Sequence, residues 1–138
     1  MKRTEIKVFG VLLACAALLV PLTASAENIQ VDPMTWDYGE VEVGASEPMS
    51  FTITSIGPDT KLRIDGIALA DNESGAYEST SITPEPVYPM YLEVGETAEV
   101  VVTFAPGVVG METCSLLIMS NAHNDPTLYI PLQGEGII

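Results

Sequence analysis

His123, Cys114, Met111 and Met119 are the residue types from which a blue-copper centre is made, and Asp71-Asn72-Glu73 with Asn121, Asn124 and Asp125 offer oxygens of the kind that hold calcium. A blue-copper site takes two His and one Cys. His123 is the single histidine in 138 residues, so that centre is excluded, and tetrahedral zinc fails for the same shortage of ligands. Neither oxygen-rich stretch has the EF-hand pattern of alternating acids, a central Gly and a distant Glu. Carboxylates are plentiful, but nothing selects two of them as a glycosidase pair, and no base is placed beside a Ser or Cys as an activated nucleophile requires. His123 sits in Asn121-Ala122-His123-Asn124-Asp125-Pro126, a turn where polar residues are expected in any case. Thus no catalytic, cofactor-binding or metal-ligating residue is assigned, and the chain reads as a non-enzyme.

Two weaker signals remain. Tyr77, Tyr88, Tyr91 and Tyr129 could form a carbohydrate platform, although tyrosines at strand edges commonly bury the ring and wet the hydroxyl. Cys114 lies between apolar-rich flanks in Glu112-Thr113-Cys114-Ser115-Leu116-Leu117-Ile118 and reads as a small buried hydrophobe.

Residues 1–26 stand apart from the rest. Lys2, Arg3 and Lys7 precede an apolar run from Val8 to Val20, then Pro21 and Ala24-Ser25-Ala26, which is the layout of a secretory signal peptide cleaved after Ala26. The run is too short to span a bilayer comfortably. Leu12-Leu13-Ala14-Cys15 resembles a bacterial lipobox, yet the stretch after Cys15 stays apolar through Leu22, so lipidation is the lesser alternative. The expected location is the periplasm or the extracellular space. From Glu27 to Ile138 the chain is expected to form one domain with a single core.

Beyond residue 26 there are 18 Asp and Glu against Lys61 and Arg63, a balance of −16. Such a surface repels nucleic-acid phosphates and anionic lipid. Cys114 has no second cysteine in this domain, so no intramolecular disulfide can form.

The elements that would position these groups are strands. Apolar residues fall at spacing two in short runs, as in Met49, Phe51 and Ile53, or Leu128, Ile130 and Leu132. Pro at 33, 48, 58, 84, 86, 89, 106, 126 and 131 interrupts nearly every window long enough for a helix. Ala98 to Phe104 is apolar on both faces at Val101, which predicts a central strand; Gly66 predicts a bulge. Trp36 to Val43 and Tyr77 to Ile82 read as edge strands. Seven to nine strands in this length predict an all-β, immunoglobulin-like antiparallel sandwich.

Four phrases then recur in a familiar order: Tyr38-Gly39-Glu40-Val41-Glu42-Val43-Gly44, Phe104-Ala105-Pro106 with Gly110, Ile118-Met119-Ser120-Asn121, and Leu132-Gln133-Gly134-Glu135-Gly136. In these the chain resembles the ASH group, named for ASPM, SPD-2 and Hydin, with the bacterial exported domains called choice-of-anchor D and DUF1573. Gly44, Gly110 and Gly134 are expected at turns needing positive φ, and Phe104 and Trp36 in the core. Two features depart from the pattern: Ser55-Ile56-Gly57 stands where an Asn-x-Gly is usual, and no sorting tail follows, so surface anchoring is not expected. The resemblance implies a non-catalytic module acting through a protein partner of unknown identity, without cofactor. Carbohydrate- or calcium-dependent adhesion is the alternative.

Overall fold

Phe51, Ile53 and Ser55 are buried on one side of a strand while Ser50, Thr52 and Thr54 face outward, and that alternation sets the architecture. A computed structural model describes residues 27–58 and 61–138; the expected signal peptide with Cys15, and Asp59 of the expected turn, lie outside the described residues. Nine strands follow in order: β1 (Asn28–Asp32), β2 (Trp36–Glu42), β3 (Glu47–Gly57), β4 (Leu62–Ala70), β5 (Tyr77–Thr83), β6 (Met90–Leu92), β7 (Thr97–Phe104), β8 (Gly110–Ser120) and β9 (Thr127–Ile137). They form a four-stranded sheet, β1-β3-β7-β5, and a five-stranded sheet, β2-β9-β8-β4-β6. As expected, β7 is central, β2 and β5 lie at edges, and the β4–β8 register slips between Ile64 and Gly66. One pairing departs from an all-antiparallel sandwich, since β2 runs parallel to β9.

The core between the sheets is built from Phe51, Ile53, Val100, Val102 and Phe104 on one side and Leu62, Ile64, Leu116, Ile118 and Ile130 on the other, all fully buried. Its centre of gravity is aromatic. The Phe104 ring stacks on Tyr77 at 4.8 Å and meets Tyr38 at 5.6 Å. Both phenols stay satisfied: the Tyr38 hydroxyl donates to the Val102 carbonyl at 2.6 Å and the Tyr77 hydroxyl to the Glu112 carbonyl at 2.7 Å. Burial pushes both phenols well above the ordinary tyrosine range.

Two expectations are corrected here. Trp36 is not a core residue; it is 37% exposed, at the outer edge of the five-stranded sheet, and the half-buried Tyr38 packs its ring against the core instead. Gly134 is not at a turn but inside β9, where a Cβ would lie 2.5 Å from the Phe104 ring. Gly44, Gly110 and Gly57 do adopt positive φ, so the Ser55-Ile56-Gly57 departure keeps the glycine its turn needs.

Gly134→Ala is expected to lower stability by roughly 1–3 kcal/mol or more through overpacking, and pairing it with Phe104→Leu should recover part of that loss in urea titrations. The raised phenols favour the protonated form in the fold. Their contribution is full below the ordinary tyrosine pKa and is lost as pH rises above about 10. In a Cys114→Ala background the urea midpoint should therefore fall above that pH, and Tyr38→Phe with Tyr77→Phe should flatten the fall while costing about 1 kcal/mol each at neutral pH.

Candidate functional site: the outer face of the five-stranded sheet

The three asparagines of the candidate calcium loops are engaged with backbone. Asn121 accepts from the Arg63 N–H at 2.8 Å and donates to Glu27 Oε1. Asn124 accepts from the Ile29 N–H and donates to the Ile29 carbonyl, both at 3.0 Å. Asn72 holds the Tyr77 backbone in the same two-handed way. His123 is exposed, and its backbone N–H donates to the Glu27 carbonyl. Met111 and Met119 face outward near opposite ends of β8 while Cys114 faces inward, so the sulfur groups diverge. Among the described residues no three His, Cys, Asp or Glu side chains gather into a metal-holding group.

The strand edges are obstructed in four different ways. Asn124 occupies the outer backbone groups of Ile29 on β1. A register shift around Gly39, at φ 73°, breaks β2. β6 is three residues long. Glu85 and Pro86 line a shallow groove along Ser79 to Ile82, so the Pro-rich passage after β5 shields that edge.

The two outer faces differ in kind. On the four-stranded sheet the cross-strand rows read Asp32-Thr52-Glu99-Thr83, Ser50-Val101-Ser81 and Pro48-Thr103-Glu78, a hydroxyl- and carboxylate-rich surface. On the five-stranded sheet they read Thr127-Met119-Gly66, Tyr129-Leu117-Ala68 and Pro131-Ser115-Ala70, with no charge in nine positions. Gly66 leaves room for the Met119 methyl to lie across the sheet. Tyr129 is 55% exposed and Tyr91, paired with Arg63 beyond this patch, is 54% exposed. Tyr88 is 40% exposed in the passage between β5 and β6, and Tyr77, the remaining candidate platform tyrosine, is buried in the core.

Beside Leu117 and Tyr129 the same face dips into a hollow of about 210 Å3, bounded by Thr35, Asp71, Gln133, Pro131 with Leu132, and the run from Thr113 through Cys114 to Ser115. Asp71 stands at its rim in a left-handed backbone conformation, φ 59°. Asp37 is tied to this wall through Gln133 Nε2 at 2.8 Å; the Gly39 N–H, then Gln133, hold its carboxyl below the usual range. Cys114 is 3% exposed, and burial pushes its thiol up to about 11.

The turn phrases converge on one end of this sheet. Gly44 N–H donates to the Pro106 carbonyl, Val43 N–H to Ile137, and Gly136 passes so close to Pro106 and Val108 that a Cβ could not fit. A two-sheet sandwich with these anchors is an immunoglobulin-like domain of the ASH type. A family model for the HYDIN/CFA65/VesB-like Ig-like domain matches residues 27–135, and the chain belongs to that family.

Solved structures share the architecture. The ASH/PapD-like domain of human CEP192 is 17% identical with a TM-score of 0.60, over 83% of this chain and 87% of that one. A protein of unknown function from Porphyromonas gingivalis W83 is 16% identical with a TM-score of 0.62, over 95% of this chain and 52% of that one. The VesB protease of Vibrio cholerae is 13% identical with a TM-score of 0.57, over 88% of this chain and 34% of that one. This domain thus corresponds to about half and a third of the two bacterial chains. No curated protein sequence matches.

The buried, protonated thiol should be inert. With the native protein near pH 8, a disulfide reagent is expected to leave Cys114 unmodified for as long as the fold persists, and to react with one equivalent in denaturant. Rapid native labelling would show that the sulfur is reachable from the hollow that Cys114 helps to line.

Proposed function

We propose that this chain is an exported, non-catalytic immunoglobulin-like module that acts through protein contacts, in the periplasm or outside the cell, on the outer face of its five-stranded sheet. The observation that carries this reading is the uncharged surface around Tyr129, Leu117, Ala68 and Met119 on a domain with a balance of −16. Obstructed edges make strand addition the poorer route and favour the face. Charge depletion with aromatic and Met enrichment is the compositional mark of an interface centre. Export is supported by the layout of residues 1–26. Family membership supports the absence of catalysis, and no helix among the described residues is long and apolar enough to cross a membrane.

A photo-crosslinking amino acid tests the reading in the producing cell. Placed at Leu117 or Tyr129 it is expected to yield protein adducts, and placed at Thr52 on the opposite face to yield none. Equal labelling from both faces, or none from either, overturns the assignment of the face. A mature mass beginning at Glu27 is the expected product of export; a mass beginning at an acylated Cys15 overturns cleavage after Ala26.

A further inference from the structure

The hollow beside Leu117 and Tyr129 is built from four separate parts of the chain: Thr35 before β2, Asp71 after β4, Thr113 and Ser115 on β8, and Pro131 and Gln133 on β9. Its lining brings together the hydroxyl residues Thr35, Thr113 and Ser115, the amide residue Gln133, an apolar flank of Pro131 and Leu132, and Asp71 with a formal negative charge. That is the chemistry of a socket for a long cationic side chain, whose methylene stem lies on apolar surface while its head meets a carboxylate and neutral acceptors. The uncharged rows continue from Ser115 and Pro131 to Leu117 and Tyr129, two residues further along the same strands and therefore about 7 Å away.

The domain itself offers little to fill such a site. Arg63 is held by Asp65 at 2.8 Å, and Lys61 is the other cation among the described residues. Beyond the apolar rows the face ends in acids: Asp37 beside Gln133, and Glu40 beside Glu135. A second copy would bring a like charge of −16 to this surface, whereas a basic partner is attracted to it.

We propose that the hollow seats a lysine or arginine side chain of a partner polypeptide, whose neighbouring apolar residues lie on Leu117, Tyr129 and Met119. The proposal rests on the reading of this face as a protein-docking surface and adds the chemistry of what docks there.

The test uses isotope-labelled protein and a blocked peptide of alternating leucine and lysine, with a peptide of alternating leucine and glutamine as its neutral counterpart. The lysine peptide is expected to shift the amides of Thr113, Ser115, Leu117, Tyr129 and Gln133. Asp71→Asn should weaken it about three- to tenfold, as loss of a partly exposed charge contact does. Leu117→Asp discriminates apolar docking from bulk charge attraction, because it adds a negative charge yet is expected to weaken the complex. If the glutamine peptide moves the same amides as strongly, the cationic socket is wrong while the docking face survives. If shifts centre on Thr52 and Glu99, or Leu117→Asp tightens binding, both readings fall. Concentration-dependent shifts of these amides without peptide, lost in Lys61→Gln, would assign the hollow to a second copy. A neutral oligosaccharide that moves the Tyr129 and Leu117 amides more than the lysine peptide does would assign the face to a glycan. Either result overturns the proposal.

Discussion

Everything in this sandwich is arranged around the ring of Phe104 lying against the bare backbone of Gly134. Phe104 ends β7 in the four-stranded sheet and Gly134 lies within β9 in the other, so the contact sets how closely the sheets approach. A methyl group on Gly134 would sit inside the ring's van der Waals envelope, and interiors at native packing density have no slack to absorb it. Tyr38 and Tyr77 complete the cluster from either side, each tethered by its hydroxyl to backbone. The same economy of side chain recurs at Gly136, which lets the loop after β7 close over β9. Anchored there, β2 can run parallel beside β9 with its acidic side chains outward.

That clamp leaves the outer faces free to differ. In a two-layer sandwich each strand contributes one buried and one exposed row, so the exposed rows carry no obligation to the core. One sheet carries hydroxyls and carboxylates on its free face, as expected of a surface in water. The other carries Tyr129, Leu117, Met119 and Ala68 without a charge among them, although the domain as a whole is strongly acidic. Scattered apolar residues on a surface need no explanation; adjacent uncharged rows are the feature on which the docking proposal rests.

Much of this architecture was legible in the alternation of residue types. Met49, Phe51 and Ile53 announce their strand, Val101 marks β7 as central, and Gly66 marks the slip in β4, because each is a local consequence of period-two geometry. What was not legible depends on distant partners. Trp36 looks like a core anchor, yet β2 pairs with a strand almost a hundred residues away, and it is the half-buried Tyr38 that packs against the core. Gly134 looks like a turn glycine because its real constraint, the ring of Phe104, is thirty residues upstream. The oxygens of Asn121 and Asn124 look like ion ligands because sequence does not reveal that Arg63 and Ile29 occupy them. The hollow has no local signature at all, since Thr35, Asp71, Thr113 and Pro131 meet only after both sheets have formed.

The two-handed grip of Asn124 on Ile29 has a consequence for how such a domain changes over generations. The Asn124 amide imitates part of a strand beside β1, taking both outer groups of Ile29 while the His123 N–H takes the Glu27 carbonyl, so a short loop does much to close this edge. Where selection favours a solitary module, the amide keeps β1 out of reach of its neighbours. Where it favours filaments or exchanged strands, losing that amide exposes a ready-made template while the core stays untouched. Quaternary structure in a fold of this kind can therefore shift by point substitution in a loop, long before the sandwich itself has to be rebuilt.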